Sequence, residues 1–275
     1  MGAKSLVIAG YGINSEEETS LAFEQAGFHS QIRHINDLIE NPSELNETQV
    51  LCIPGGFSYG DDTGSGNAFA QKMRLTLWDH LKKFIERDTL TIGICNGCQI
   101  VANLGLAPAI DQKYGERFVA VTHNLTARYQ CRWIDVAVQD TKSPWLAGIS
   151  RMHIPVAHGE GRFMMDESIL KTLKENKQVA LRFVKPNGEK ANGEFPFNPN
   201  GTMDDIAGMT DPTGRVLALM PHPERGMFTW QRDDYANLKD KARRDAKSLS
   251  ATADGIQIFD NAARYFGIKA EKLRA

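Results

Sequence analysis

Apolar and polar positions alternate in blocks over the first hundred residues, and the blocks predict strands that alternate with helices. Short apolar runs occur in SLVIAG, SQIRHI, QVLCI and LTIGI, whereas the segments between them have helical spacing. This alternation is typical of a parallel sheet covered by helices. We therefore expect an α/β fold with a mostly parallel central sheet.

Two helices in this half have clear predicted limits. Ser15 and Glu18 have capping-box spacing, which predicts a helix from about Ser15 to Gly27. A longer helix is predicted between Gly66 and Arg87. Its apolar stripe, which indicates core packing and not a cofactor contact, is formed by Phe69, Met73, Leu77, Leu81 and Phe84.

From Thr122 onward, shorter apolar runs are separated by Gly, Pro and Asn turns. The runs WIDVAV, RMHIPVAH, VALRFV, IAGMTD and VLALMPH predict a mixed-strand extension of the same sheet. Residues 231–254 have both charge signs and few large apolar side chains, so we interpret them as a charged insert, either a solvated helix or a mobile segment. A last amphipathic helix is predicted from Ile256 to Phe266, and we expect one domain over residues 1–275.

Composition narrows the classes of partner and location. The formal net charge is −2 without a long basic block, which argues against nucleic acid as the partner because phosphate neutralisation needs clustered Lys and Arg. No apolar run approaches the roughly 18 residues that a membrane span requires. The four cysteines do not form a dense disulfide framework. We predict a cytoplasmic protein with a small-molecule substrate.

The motif GICNGCQ, residues 93–99, follows a predicted strand and precedes a helical pattern. Cys95 lies at the turn, and the nearby Gly93 and Gly97 leave room for the strained backbone of a nucleophile elbow. A helix N-terminus at this position favours a thiolate. The motif therefore predicts a nucleophilic cysteine.

CNGC also matches the CxxC spacing of redox pairs and of half a zinc site. Cys52 and Cys131 stand alone and supply no second ligand pair. We expect Cys98 to pack in the core, and we predict no metal ligands in this chain.

A nucleophilic cysteine needs a base and a group that orients the base. In MPHPER, a strand leads to His222, and Glu224 two residues later lies on the same face of an extended segment. Pro223 restricts the backbone between them. By itself HPE is also compatible with an ordinary turn, and His158 in HGEGRF is the rival candidate for the base.

An acyl-transfer site also needs donors for an oxyanion, and loss of one donor typically costs about 10²–10³ in rate. PGGFSYGDD, residues 54–62, follows a predicted strand with two adjacent glycines, which suits the approach of backbone N–H groups to a ligand. We predict the N–H groups of this loop and of Asn96 as the donors.

The chain resembles the class I glutamine amidotransferases, which have a flavodoxin-like fold, and in particular the glutaminases of phosphoribosylformylglycinamidine synthases in purine biosynthesis. The resemblance rests on six motifs between residues 54 and 225, with DGIQIFDNAARYF near the end. In order they are PGGFSYGDD, GICNGCQ, HNLTARYQCRW, HGEGRF, NPNG and MPHPER. HNLTAR departs from the expected pattern because Thr126 stands where we expect Ser.

By position, the resemblance implies that Cys95 is the nucleophile, His222 the general base and acid, and Glu224 the group that orients His222. Gly56 and Asn96 are implied as the oxyanion donors. The implied contacts of the L-glutamine substrate are Ser58, Gln99, His158 and Gly159.

The resemblance also implies partners. No GxxxxGK[ST] motif occurs in the chain, so ATP and Mg²⁺ are expected in a separate synthetase subunit that receives the ammonia, and a small bridging subunit is allowed. We expect no cofactor in this chain. Alternatives are a class I glutaminase with a different synthetase, an inactive regulatory subunit, and a CxxC redox or zinc protein.

Overall fold

The computed structural model describes residues 2–268, which form seven α-helices and eleven strands. The strands are β1 (Lys4–Ala9), β2 (His29–His34), β3 (Val50–Ile53), β4 (Leu90–Ile94), β5 (Ala120–His123), β6 (Gln130–Val138), β7 (Arg151–His158), β8 (Glu160–Met164), β9 (Val179–Val184), β10 (Ile206–Thr210) and β11 (Val216–Leu219). The helices are α1 (Glu16–Gln25), α2 (Ile35–Glu40), α3 (Asn67–Glu86), α4 (Asn96–Leu104), α5 (Glu167–Glu175), α6 (Tyr235–Arg244) and α7 (Ile256–Tyr265).

The central sheet has nine strands in the order β2-β1-β3-β4-β11-β10-β9-β6-β7. Pairing is parallel from β2 to β11 and antiparallel from β11 to β7. Strands β5 and β8 form a separate antiparallel pair. The predicted α/β fold with a parallel centre and a mixed-strand extension is confirmed.

The central parallel strands β3, β4 and β11 are buried on both faces, which explains why they appear in the sequence as continuous apolar runs. Helix α3 begins and ends between Gly66 and Arg87 as predicted, and its whole predicted apolar stripe is buried. It packs against α4, which carries the Cys95 turn at its start. The core therefore supports the helix that follows the candidate nucleophile.

The predicted capping box at the start of α1 is wrong. The Ser15 side chain forms no cap hydrogen bond, because its Oγ accepts a hydrogen bond of 2.8 Å from Nη2 of Arg225. Glu18 also turns to this guanidinium, with Oε1 at 3.0 Å from Nε. Both residues with capping-box spacing thus hold the residue that follows the HPE motif.

Residues 231–254 contain the helix α6, which has no buried residue. This agrees with the solvated helix that the charge pattern allowed. None of the helices within residues 2–268 combines the length and the apolar composition that a membrane span requires. That residues 1–275 form one domain stays a prediction.

Helix α7 docks on the core as predicted, and its start lies against the HPE turn. A Cβ at Gly255 would lie 2.0 Å from the carbonyl oxygen of Pro223, so only glycine fits this contact. The Gly255 N–H donates to the Gly226 carbonyl at 2.9 Å. The residue that precedes α7 therefore supports the turn that holds His222.

Candidate active site

Three parallel neighbours, β3, β4 and β11, direct three sequence motifs to the same edge of the sheet. PGG follows β3, Cys95 follows β4 and His222 follows β11. Because the carboxyl ends of parallel strands lie together, segments far apart in sequence meet there. The three motifs therefore lie at the carboxyl ends of the parallel strands, where α/β proteins typically bind their ligands.

Cys95 has the backbone geometry of a nucleophile elbow. Its φ is 52° and its ψ is −105°, an unfavourable combination for a residue with a side chain. The Cys95 N–H donates to the Leu219 carbonyl at 2.8 Å, which ties the turn to β11. Its sulfur lies 3.6 Å from the carbonyl oxygen of Ala157.

The two glycines beside the elbow are required by close backbone contacts. A Cβ at Gly97 would lie 1.7 Å from the Ile53 carbonyl oxygen, and one at Gly93 would lie 2.5 Å from the Gly97 carbonyl oxygen. Neither neighbour is a side chain that can move aside. The glycines predicted from the motif thus permit the close packing of β3, β4 and α4.

His222 and Glu224 form a buried pair, with Nδ1 of His222 donating to Oε1 of Glu224 at 2.5 Å. The other ring nitrogen, Nε2, is buried and has no hydrogen-bond partner within the described residues. Burial lowers the pKa of His222, but the Glu224 carboxylate and the Cys95 sulfur outweigh this effect and raise it to about 10. Glu224 therefore stabilises a charged imidazolium beside Cys95.

The PGG loop lies directly on the imidazole ring. A Cβ at Gly55 would lie 2.6 Å from Cε1 of His222, and one at Gly56, whose φ is +155°, would lie 2.5 Å from the Gly12 carbonyl oxygen. Within residues 2–268, neither the backbone N–H of Gly56 nor that of Asn96 donates a hydrogen bond. Both N–H groups are thus available as oxyanion donors.

Asn96 and Gln99 tie the nucleophile helix to the loops around it. The Asn96 carboxamide accepts from the Ser58 N–H at 3.2 Å and donates to Gln99 Oε1 at 2.8 Å. Gln99 in turn donates through Nε2 to the Glu160 carbonyl at 2.6 Å. Both polar ends of Gln99 therefore have protein partners, while the buried Ser58 Oγ has none within the described chain.

His158 is buried near His222 and is uncharged. Burial first, and then the charge of His222, lower the pKa of His158 to about 3. Its Nδ1 lies 3.1 Å from Oδ1 of Asn124, which can only accept, so Nδ1 carries the proton. Nε2 is left as a buried acceptor with no partner in the part of the chain that the structure describes. This neutral ring lacks the carboxylate that His222 has, and Gly159 follows it at the β7–β8 turn.

Cys98 is fully buried, as predicted, and burial raises the pKa of its thiol well above the usual range. A metal ligand or redox nucleophile must be a thiolate. Because the Cys98 thiol is buried and its pKa is raised, Cys98 does not support the interpretation of CNGC as a redox or zinc motif.

Several residues at the site received no role from the sequence. Asn124 orients His158 and Arg225 braces the start of α1. Asp61, Tyr129 and Glu160 line a cavity beside the elbow. These three residues lie in motifs that carried the family resemblance: PGGFSYGDD, HNLTARYQCRW and HGEGRF. The motifs are far apart in sequence, and only the tertiary structure shows that they meet at one cavity.

Comparison with known proteins agrees with this geometry. Residues 3–266 match the family of CobB/CobQ-like glutamine amidotransferase domains. The chain is 47% identical over 264 residues to the phosphoribosylformylglycinamidine synthase subunit PurQ of Methanococcus maripaludis strain S2, covering 96% of this chain and 97% of the relative. It is 38% identical over 263 residues to PurQ of Dehalococcoides mccartyi, covering 95% and 97%. The solved structure of PurLQS from Thermotoga maritima is similar at a TM-score of 0.70 and 26% identity, covering 97% of this chain and 100% of that one.

The family match covers residues 3–266. The fold also places a thiol and a buried His–Glu pair at one edge of the sheet. Together these observations define the class of the protein as glutamine amidotransferase. Identity to two PurQ subunits extends over almost the full length of both chains. The chain belongs to the family of PurQ subunits of phosphoribosylformylglycinamidine synthase.

Proposed function

We propose that the chain hydrolyses L-glutamine to glutamate and ammonia and delivers the ammonia to a synthetase subunit. That partner makes formylglycinamidine ribonucleotide from formylglycinamide ribonucleotide with ATP. The observation that carries the proposal is the buried His222–Glu224 pair, whose carboxylate raises the pKa of a histidine beside the Cys95 elbow. Family membership supports the acceptor reaction.

In the proposed mechanism, the Cys95 thiolate attacks the side-chain amide carbon of glutamine. The protonated His222 gives its proton to the departing ammonia, and a glutamyl thioester remains on the sulfur. His222 then takes a proton from water, which attacks the thioester and releases glutamate. Glu224 keeps the ring oriented and stabilises its charged form throughout.

The oxyanion of both tetrahedral intermediates would accept from the N–H groups of Gly56 and Asn96, which have no other acceptor in residues 2–268. Ser58 and His158 each offer a buried polar atom without a protein partner there, which supports the prediction that they contact glutamine. Gln99 and Gly159 are retained as predicted contacts, with the carboxamide of Gln99 shared between two protein groups.

ATP and Mg²⁺ belong in this proposal to the synthetase, and a small bridging subunit is part of the proposed complex. The name of the Thermotoga maritima complex, PurLQS, supports an assembly of this kind. A cytoplasmic location is also proposed, and it is supported by four cysteines that are all free.

The test is a coupled assay of glutamine hydrolysis by the chain alone, with the synthetase subunit, and with the synthetase, ATP and formylglycinamide ribonucleotide. We expect hydrolysis to rise on addition of the full set, with glutamate and formylglycinamidine ribonucleotide formed in equal amounts. Replacement of the synthetase by an unrelated ammonia-using synthetase is the control. Equal slow hydrolysis under every condition would contradict coupling to this partner.

A further inference from the structure

The backbone of the PGG loop is hydrogen-bonded to the segment that precedes α1. The Gly55 carbonyl accepts from the N–H groups of Asn14 and Ser15 at 3.1 and 3.2 Å. Two residues further along the loop, the N–H of Phe57 donates to the Gly12 carbonyl at 2.8 Å. The second glycine of the loop therefore lies between two positions that the chain before α1 holds in place.

The hydrogen bonds of the Gly55 carbonyl fix the direction of the Gly56 N–H. Both groups belong to one peptide unit, which is trans, and the C=O and N–H of a trans peptide point in opposite directions. The carbonyl points to the start of α1, so the N–H points away from it. Rotation of this peptide would deprive the carbonyl of both donors, Asn14 and Ser15. The direction of the predicted oxyanion donor is thus set by the residues that lead into α1.

Arg225 connects this support of the loop with the turn that carries His222. Its Nη2 donates to Oγ of the fully buried Ser15 at 2.8 Å, and its Nε donates to Oε1 of Glu18 at 3.0 Å. Its backbone N–H donates to the His222 carbonyl at 3.2 Å. Nε also lies 4.0 Å from Oε1 of Glu224, the oxygen that accepts from the imidazole. One residue therefore contacts both the His–Glu pair and the support of the PGG loop.

Close packing transmits the position of Ser15 to the loop. A Cβ at Gly55 would lie 2.6 Å from Cε1 of His222 and 3.0 Å from Oγ of Ser15. The loop is thus confined between the imidazole ring and the serine that Arg225 holds. Because Ser15 bonds to Arg225 through its hydroxyl and to the loop through its N–H, a change in the first contact displaces the second.

We propose that Arg225 and Ser15 are positioning residues for the oxyanion donor. Their contact directs the Gly56 N–H toward the tetrahedral intermediate that forms on Cys95, and Glu18 keeps the guanidinium in place. This assignment rests on the proposed glutaminase function and concerns side chains that act through the backbone. Because the oxyanion is absent from bound glutamine and develops in the transition state, the contact acts on kcat and not on KM.

The experiment measures glutamine hydrolysis by the full chain with its synthetase subunit, ATP and formylglycinamide ribonucleotide. Ser15→Ala and Arg225→Gln are each expected to lower kcat and kcat/KM equally, by about 10- to 100-fold, with KM unchanged. This is less than the loss of about 10²–10³ that follows complete removal of an oxyanion donor, because the N–H is displaced and not deleted. The double variant should be no slower than the slower single variant, since both changes break the same contact.

Alkylation of Cys95 by iodoacetamide separates a positioning role from general damage to the site. The thiolate displaces iodide from a saturated carbon in this reaction, so no oxyanion forms. Ser15→Ala keeps every charge around the thiol, and its rate of alkylation, measured on the Cys95 peptide by mass spectrometry, should equal that of wild type. Slower or incomplete alkylation of Ser15→Ala would show that the change reaches the nucleophile itself, which contradicts the assigned role.

The chain offers a matched control for each position. Arg33 has the same side-chain exposure as Arg225, 35%, and pairs through Nε with Glu44 at 2.7 Å. Ser20 lies on α1 and is buried, but its hydroxyl bonds to Ser30 at 2.8 Å. Neither contact reaches the PGG loop, so Arg33→Gln and Ser20→Ala should keep the wild-type kcat.

The outcomes separate this assignment from the function on which it rests. If wild type hydrolyses glutamine while Ser15→Ala and Arg225→Gln keep its kcat, raise only KM, or have additive effects in the double variant, the positioning role is wrong and the glutaminase function stands. If wild type does not hydrolyse glutamine under these conditions, the proposed function is overturned and the assignment with it.

Discussion

Nδ1 of His222 lies 2.5 Å from Oε1 of Glu224, and both side chains are almost completely buried. A buried imidazolium is unfavourable unless an opposite charge accompanies it. Glu224 provides that charge, and the pKa of His222 is raised to about 10 in spite of burial. The pair therefore keeps a proton available for a leaving group at neutral pH.

The first prediction concerns this proton. Because the folded pKa of His222 exceeds its ordinary value of 6.5, its protonation stabilises the site below pH 6.5, and the effect is lost as pH rises toward 10. Glu224→Gln should move the alkaline limb of the kcat profile to lower pH and lower kcat by about 10²–10⁴. The exposed Glu17→Gln is the control. An unchanged alkaline limb in Glu224→Gln would contradict the assigned role.

The second prediction concerns the close packing under the elbow. A Cβ at Gly97 would lie 1.7 Å from the Ile53 carbonyl oxygen, so Gly97→Ala must displace backbone. We expect urea unfolding to show a loss of about 1–3 kcal/mol or more, together with loss of glutaminase activity. Gly148→Ala, where no atom lies within 4 Å of the added Cβ although φ is +73°, should cost only about 1 kcal/mol and keep the activity. Equal stability and activity of the two variants would show that the contact is unimportant.

The third prediction concerns the charged segment and the edge strand β7. His153 lies 3.3 Å from Asp135 on β6 and 3.0 Å from Asp233 in the segment. Burial lowers the pKa of His153, but these two carboxylates outweigh it and raise the pKa above 6.5. The attachment is therefore strongest below pH 6.5 and weakens as pH rises through the raised pKa.

Hydrogen exchange of α6 should accordingly become faster as the pH rises through that range, after correction for the intrinsic pH dependence of exchange. His153→Asn should show fast exchange at every pH, whereas His80→Asn on α3 should behave as wild type. Corrected exchange rates of wild-type α6 that stay constant with pH would refute this attachment.

The sequence predicted the parts of the fold that depend on local patterns. The strands of the central sheet, from SLVIAG to VLALMPH, and the limits of α3 follow from apolar runs and glycine positions. It did not predict β8, because HGEGRF contains two glycines and few apolar residues, and within residues 2–268 this strand pairs only with the distant β5. Nor did it predict α2, a helix of six residues.

The same division applies to the site. His222 and Glu224 are adjacent enough that an extended backbone brings them together, and the glycines around Cys95 indicate the elbow locally. Arg225 shows the opposite case, because its partners Ser15 and Glu18 are more than 200 residues away. The capping-box rule considers only neighbouring residues, and it therefore predicted that Ser15 and Glu18 bond to the backbone at the start of α1. Both side chains instead accept hydrogen bonds from Arg225.

The most direct test of the account is detection of the covalent intermediate on Cys95. The chain and its synthetase subunit would be mixed with L-glutamine, quenched in acid and digested, and the glutamyl group located by peptide mass spectrometry. We predict a glutamyl thioester on Cys95 in wild type and in Cys98→Ala, whose side chain is buried away from the reaction, and neither thioester nor glutamate from Cys95→Ala. Glutamate formation by Cys95→Ala at the wild-type rate, or a glutamyl group on another residue, would contradict the account.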